Sequence, residues 1–157
     1  MSTRSRIAVK ISDNEIKSVY CHWDGYPSNN GRLLLNYHNN KAAALQIIIL
    51  GDLSSLCESL EKPDGHSYDT PKEGFTIAYG RDRGETNTEA INHESVSDLI
   101  KAANDSNGEY IYLFDCETNE WKYLITSQAI ANLRKGIKAK PIIWYVLTEK
   151  NTTEKDD

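Results

Sequence analysis

Hydrophobic and polar residues alternate near the start of the chain, which is the pattern of β-strands. Ile7, Val9 and Ile11 fall on alternate positions, and a second β-branched and aromatic run covers residues 16–23. Residues 12–15 between the runs are Ser, Asp, Asn and Glu, which favour a turn because Asp and Asn hydrogen-bond their own backbone. The two runs predict an N-terminal hairpin. The aromatic runs 110–114 and 121–125 predict a second one.

Four other segments have the apolar spacing of helices: 29–39, 41–50, a segment from Glu94 or Ser95 to residue 104, and 127–135. Asn40 is placed to cap the second of these helices, and Gly51 is placed to end it.

The remaining segments give weaker patterns. A short helical turn is expected within 53–60, strands are expected at 75–79 and 142–147, and residues 80–92 are polar with two glycines. Because hairpins dominate this order, the predicted class is α+β: a mostly antiparallel sheet built from hairpins, with three to four packed helices.

The length of 157 residues predicts one domain. We assign residues 1–148 to a single α+β domain. Residues 149–157 contain no apolar side chain, so we expect a disordered polar tail there.

Composition narrows the classes of function. The three cysteines form no CxxC pair, which argues against a disulfide framework or a zinc site and favours a reducing compartment. No apolar run reaches the ~20 residues that cross a bilayer, and the first residues are too polar for a signal peptide. We therefore expect a cytoplasmic protein that contacts no membrane and has no metal or cofactor.

The charge distribution argues against duplex nucleic acid as a partner. The net charge is −5, and residues 63–109 hold ten acidic and four basic side chains. The one basic cluster, Arg134, Lys135, Lys138 and Lys140, fits a helix C-terminus, where cations complement the helix dipole. A nucleic-acid mimic built on the acidic segment is a weaker possibility, because its acids are dispersed.

One unusually polar and aromatic segment, 20–27, follows the second predicted strand. Its candidate binding residues are His22, Trp23, Asp24 and Tyr26. Cys21 with His22 resembles a nucleophile and its base, but adjacent strand residues point to opposite faces. A metal at His22 and Asp24 would need further ligands that the sequence nearby does not supply. The alternative is plain aromatic packing beside a turn at Asp24.

A second polar segment, 79–85, follows a predicted strand and carries the candidates Arg81, Asp82, Arg83 and Glu85. Arg81 and Arg83 alternate across Asp82, so both guanidinium groups are expected on one side, where they suit a carboxylate or a phosphate. The alternative is a surface network of charges that contributes little to stability. If the two polar segments form one site, then His22, Asp24, Arg81 and Arg83 share one surface.

Four blocks of sequence, at residues 1–8, 20–27, 50–56 and 78–85, resemble a family of short, uncharacterised phage- and prophage-encoded proteins. The resemblance covers about the first 125 residues. It implies a phage context in a bacterial cytoplasm, and it implies no activity and no site residues.

We therefore expect a phage-type accessory protein of unknown function that binds a host protein, such as a defence component. The alternative is a small-molecule or nucleotide-binding protein or an enzyme. Its pocket would lie between the Cys21–Tyr26 turn and the Arg81–Glu85 loop and would hold a small anionic ligand.

Overall fold

A single mixed β-sheet forms the centre of the protein. The computed structural model describes residues 2–134 and 142–153. The strands are β1 (Ser5–Ser12), β2 (Glu15–Cys21), β3 (Leu53–Ser55), β4 (Ile77–Ala78), β5 (Ile91–His93), β6 (Tyr110–Asp115), β7 (Glu120–Ile125) and β8 (Tyr145–Val146). The α-helices are α1 (Arg32–Tyr37), α2 (Lys41–Leu50), α3 (Tyr79–Arg83), α4 (Val96–Asp105) and α5 (Thr126–Leu133), and one π-helical turn (Pro27–Gly31) precedes α1.

The strand order is β4-β3-β2-β1-β6-β7-β8, and β5 pairs with the first part of β2. Both predicted hairpins, β1–β2 and β6–β7, are antiparallel. They join side by side through a parallel pairing of β1 with β6. The fold is therefore α+β with a mostly antiparallel sheet, as the sequence predicted.

Helices cover both faces of this sheet, because successive strand residues point to opposite sides. Ile7 and Val9 of β1 belong to a core that contains the buried residues of α1 and α2. Ala8, which lies between them, belongs to a second core with the buried residues of α4 and α5. The result is a three-layer arrangement with the sheet in the middle.

Local capping signals are confirmed where the chain forms long helices. The Asn40 side chain accepts a hydrogen bond from the Ala43 amide at 2.8 Å, and Ser95 accepts one from the Asp98 amide at 3.1 Å. Gly51 follows α2 with φ of +80°, a left-handed conformation that glycine adopts without strain.

Several weaker predictions are wrong. The helical turn expected within 53–60 is strand β3, because Leu53 pairs with Cys21 on one side and with Ala78 on the other. The polar segment 80–92, for which the sequence predicts no helix or strand, contains most of α3 and part of β5. The helix expected over 29–39 is divided into the π-helical turn and α1, and the strand expected at 75–79 is reduced to β4. The last residue of the helix predicted over 127–135 and three residues of the basic cluster, Lys135, Lys138 and Lys140, lie outside the described residues.

Contacts extend beyond the predicted domain boundary at residue 148. The Thr148 amide donates to Asn151 Oδ1 at 2.8 Å, and Thr152 is buried with its hydroxyl 2.8 Å from the Thr148 carbonyl. Residues 149–153 thus form a hydrogen-bonded turn. Disorder of residues 154–157, which lie outside the described part of the chain, stays a prediction. Among the described helices, none is long and apolar enough to cross a membrane.

A buried polar network ties β5 to β2. Arg6 Nε donates to Ser18 Oγ at 2.9 Å, and the Ser18 hydroxyl is hydrogen-bonded to His93 Nε2 at 2.7 Å. All three residues are almost completely buried. Burial lowers the pKa of His93, and the neighbouring Arg6 cation lowers it further. Burial also lowers the pKa of His38.

These depressed histidine pKa values predict that stability falls in mild acid. The unfolded chain keeps the ordinary histidine pKa of about 6.5, so it binds protons before the folded protein does as the pH falls. We expect urea denaturation to give a lower free energy of unfolding at pH 5.5 than at pH 7.5. His93→Gln should reduce the slope of the free energy of unfolding against pH, by up to about 1.4 kcal/mol per pH unit, the largest contribution of one histidine. Asn92→Gln, on the exposed side of β5, is the control and should keep the wild-type slope.

Candidate functional site

The first polar segment lies at one end of the sheet. The register aligns Cys21, Ser5, Tyr110 and Ile125 in one row across β2, β1, β6 and β7. The chain leaves the sheet just beyond this row, so the turn after β2 lies at the same end as the residue before β1 and the first residue of α5. The antiparallel and parallel pairings together therefore gather segments that are far apart in sequence.

Backbone geometry fixes the turn that contains the candidates His22, Trp23 and Asp24. Asp24 has a φ of +54°, which Asp tolerates better than most side chains. The Gly25 amide donates to the Thr3 carbonyl at 2.8 Å, and a Cβ on Gly25 would lie 2.8 Å from that same oxygen. The Tyr112 hydroxyl donates to the Gly25 carbonyl at 2.6 Å. Hydrogen bonds to the residue range before β1 and to a side chain of β6 thus fix the turn on the end of the sheet.

Cys21 has the properties of a buried structural residue. Burial raises the pKa of its thiol to about 11. Its sulfur accepts from the Asn30 side-chain Nδ2 at 3.5 Å, and the thiol donates to the Trp23 carbonyl at 3.8 Å. A thiol at this pKa stays protonated at neutral pH, so it is a poor nucleophile. His22 instead hydrogen-bonds through Nδ1 to the Tyr20 hydroxyl at 2.6 Å.

The side chains around His22 form one half of an aromatic surface. The rings of His22 and Trp23 meet edge to face with centroids 4.6 Å apart, and Trp23 is 43% exposed. Burial lowers the pKa of His22, and the Arg4 cation lowers it further. Arg4 also hydrogen-bonds Tyr20. At neutral pH this half is therefore an uncharged ring cluster beside one arginine.

The other half comes from the loop after β3 and from α3. The Tyr68 and Tyr79 rings are 6.0 Å apart, and the Arg83 guanidinium lies 4.4 Å from the Tyr68 centroid, within the range of a cation–π contact. Arg83 is exposed. Asp52 joins the two halves, because its carboxylate accepts from the Tyr20 amide at 2.9 Å and its carbonyl accepts from the Tyr79 amide at 3.1 Å.

We call this set of side chains the aromatic–arginine surface: Tyr20, His22, Trp23, Tyr68, Tyr79 and Arg83. Sequence reasoning found three of them and missed the tyrosines, since nothing in the spacing of Tyr68 or Tyr79 marks them as neighbours of residue 22. The signal that does exist is compositional: nine tyrosines in a chain with only two phenylalanines.

Arg81 and Asp82 face inward. Asp82 is 8% exposed, and its carboxylate accepts from the Ala78 amide at 2.8 Å and from Arg81 Nε at 2.9 Å. The Arg81 guanidinium also donates to the carbonyls of Leu60 at 2.7 Å and Thr76 at 2.9 Å. The expectation that Arg81 and Arg83 project on one side fails because residues 79–83 are helical, so alternate residues diverge.

The remaining candidates lie apart from this inward pair. Asp24 is exposed and accepts from the Tyr26 hydroxyl at 3.4 Å. Glu85 is exposed, and its amide donates to the Tyr79 carbonyl at 3.2 Å. The two polar segments thus approach each other through Asp52 and Tyr79, and the role of each candidate in binding stays a prediction.

Comparison of the chain with protein-family models, curated proteins and solved structures found no match. The resemblance to phage-encoded proteins therefore stays a prediction. Within residues 2–134 and 142–153, no group of three or more His, Cys, Asp or Glu side chains is arranged to hold a metal ion.

Proposed function

We propose that this chain is a non-enzymatic, phage-type accessory protein that binds a host protein in the bacterial cytoplasm through the aromatic–arginine surface. The observation that carries the proposal is the exposure of Trp23 on a surface that Asp52 links to the Tyr68–Arg83 pair. Trp, Tyr and Arg are the residue types that dominate binding energy in protein interfaces. Tryptophan is usually well buried in a monomer, so an exposed one within such a group favours an interface.

The environment of two candidate nucleophiles, Cys21 and Ser18, supports binding over catalysis. The Cys21 thiol is fully buried and its pKa is raised to about 11. Ser18 hydrogen-bonds His93 as in a serine–histidine pair, but Ser18 is 0% exposed and His93 4%. A substrate would have to open the sheet to reach either group.

The chemistry of the surface defines the partner that fits it. The rings of Trp23, Tyr68 and Tyr79 match an apolar patch on a protein. The Arg83 cation is exposed over Tyr68, and a guanidinium held by a ring keeps N–H donors for an external carboxylate. We therefore propose a host protein that presents an apolar patch with an Asp or Glu at its edge.

The alternative of a small-molecule site between the Cys21–Tyr26 turn and the Arg81–Glu85 loop has less support. This site needs both arginines to bind an anionic ligand. Arg81, however, uses its N–H donors on Asp82 and on the Leu60 and Thr76 carbonyls. Arg83 alone is a weak basis for a small-molecule pocket.

Single substitutions test the proposal. Tagged wild-type protein and variants would be used to capture partners from host cytosol, and each captured protein would then be purified and titrated by calorimetry. We expect Trp23→Ala and Arg83→Ala each to weaken binding of one defined protein by about 30-fold or more, which is a hot-spot loss of 2 kcal/mol. Tyr37→Ala is the matched control, because Tyr37 is 52% exposed at the end of α1.

The control separates specific binding from capture by any exposed ring. Tyr37→Ala should bind the same protein as tightly as wild type does. The proposal is contradicted if no captured protein binds the purified wild type, or if Trp23→Ala and Arg83→Ala bind as the wild type does.

A further inference from the structure

Helix α2 is apolar on its outer side as well as on the side that packs against the sheet. The buried residues on the sheet side are Ala44, Ile47 and Ile48. Ile49 lies on the opposite side and is 75% exposed. A helix that is apolar all round is normally covered on every side. We therefore expect another surface to cover the outer side of α2.

Four side chains form one stripe along this outer side. Ala42, Leu45, Gln46 and Ile49 follow the spacing i, i+3, i+4 and i+7, which places them on one face of a helix. Leu45 is half-buried and the other three are exposed. We call these four side chains the α2 stripe. None of them belongs to the aromatic–arginine surface, so the stripe is a second surface for association.

The charges near the two ends of α2 oppose the helix dipole. Lys41 is the first residue of the helix, where the dipole disfavours a cation, and the first turn contains no acidic residue. Glu89 lies near the other end, because the preceding Thr88 carbonyl accepts from the Asp52 amide at 2.7 Å. Burial raises the pKa of Asp52, and the nearby Glu89 carboxylate contributes to the rise. Neither charge thus benefits from its own helix.

Neither charge is neutralised within the described part of the chain. Lys41 and Glu89 are both exposed, and neither forms an ion pair with another described residue. Lys41 borders a cavity together with Asp115 and Glu117. Asp115 already pairs with Lys122 at 3.4 Å, and Glu117 is exposed to water. The Lys41 ammonium and the Glu89 carboxylate therefore remain available to another molecule.

A second copy of α2 in antiparallel orientation complements both the stripe and the charges. With a two-fold axis at the middle of the helix, Ile49 lies against Ala42 of the partner subunit. A large side chain then packs against a small one, which lets the two helices approach closely. The same symmetry brings Lys41 to the C-terminal end of the partner helix, beside Glu89 of the partner subunit. The dipole of that helix favours a cation there.

We propose that the α2 stripe is the interface of an antiparallel homodimer, with a Lys41–Glu89 ion pair between subunits at each end. Because α2 has ten residues, this interface is smaller than those of stable complexes. We expect a dissociation constant of about 10–100 µM. Self-association needs no host protein, so either proposal can fail without the other.

Sedimentation equilibrium of the full chain over about 1–300 µM brackets this constant. A reductant is included because the three cysteines are free thiols. Ile49→Gln removes the apolar contact but keeps a good helix former, and should weaken dimerisation by about tenfold or more. Ile91→Gln is the matched control, because Ile91 is 48% exposed on β5. It should dimerise as the wild type does.

Charge reversal tests the antiparallel orientation. Lys41→Glu and Glu89→Lys each place like charges at both ends of the dimer, so each variant alone should dimerise about tenfold more weakly than wild type. Mixed in equal amounts, the two variants should associate with each other as tightly as wild type, because every charge then faces its opposite. A variant that carries both substitutions should also dimerise as wild type.

Three results would overturn the proposal. The first is a wild-type chain that stays monomeric over the whole concentration range, which would leave the α2 stripe to a different partner. The second is equal dimerisation of Ile49→Gln and Ile91→Gln. The third is a mixture of Lys41→Glu and Glu89→Lys that associates as weakly as either variant alone.

Discussion

Replacing Asp82 with alanine should lower the free energy of unfolding by about 3–5 kcal/mol, the usual cost of removing one partner from a buried ion pair. The variant would remove the carboxylate that pairs with the half-buried Arg81 guanidinium and accepts from the Ala78 amide, and would leave the Arg81 cation without its counter-ion. For a domain of this size the loss corresponds to a drop in melting temperature of roughly 6–20 °C. Thermal and urea denaturation measure it directly.

Asp69→Ala is the control for this prediction, because Asp69 is an exposed carboxylate in the same loop. Its effect should stay within about 0.5 kcal/mol. Equal stabilities of the two variants would show that the buried carboxylate contributes nothing.

The effect of Asp82 should also depend on pH. Burial raises the pKa of Asp82, but hydrogen bonds from Arg81 and the Ala78 amide outweigh burial, so the pKa lies below its ordinary value. The carboxylate therefore stabilises the fold fully above the ordinary Asp pKa of about 3.9 and less as the pH falls through the lower folded value. Wild type and Asp82→Ala should converge in acid.

The buried Arg81–Asp82 ion pair also positions two side chains of the proposed interface, Tyr68 and Arg83. The Tyr68 amide donates to the Asp82 carbonyl at 3.0 Å, and Arg83 follows Asp82 directly in α3. His66 accepts from the Lys72 amide through Nδ1 at 3.0 Å, so its Nε2 carries a hydrogen, which it donates to the Thr76 carbonyl at 3.2 Å beside Asp82. The charged pair thus holds a loop with little regular structure in the shape that places Tyr68 under Arg83.

The hairpins and the long helices could be predicted because their signals are local. Alternation in β1 and the cap at Asn40 depend on residues within a few positions of each other. Strand β3 could not be predicted in this way. Leu53 is extended because Cys21 and Ala78 pair with it from distant parts of the chain, and no local pattern encodes that pairing.

The site was predictable in part for the same reason. His22 and Trp23 are conspicuous because they interrupt an apolar run. Tyr79 approaches that segment only through backbone contacts at Asp52, and Tyr68 approaches Tyr79 only through its hydrogen bond to the Asp82 carbonyl. The alternation of Arg81 and Arg83 predicts a binding role for both side chains only if the segment is extended. In the helix the Arg81 side chain instead turns toward the Leu60 and Thr76 carbonyls.

Replacing Trp121 with alanine should also lower the free energy of unfolding by about 3–5 kcal/mol, through the cavity left in the core. Trp121 is 1% exposed and meets the Phe114 ring at a centroid distance of 5.3 Å. Its indole N–H donates to the His38 carbonyl at 2.9 Å, which anchors the end of α1 to β7. Urea denaturation of Trp121→Ala and Trp121→Phe separates the cost of the cavity from the cost of the lost hydrogen bond. The phenylalanine keeps most of the side-chain volume but cannot donate to the His38 carbonyl.

Trp23→Ala is the matched comparison, since it makes the same chemical change at a side chain that is 43% exposed. A surface residue of this kind should change stability by only about 0.5 kcal/mol. If Trp23→Ala destabilised the protein as much as Trp121→Ala does, the Trp23 ring would be part of the core, and its exposure would no longer argue for an interface. If Trp23 is a recognition residue, Trp23→Ala should lose partner binding at unchanged stability, because the variant keeps the folded surface and lacks only the indole ring.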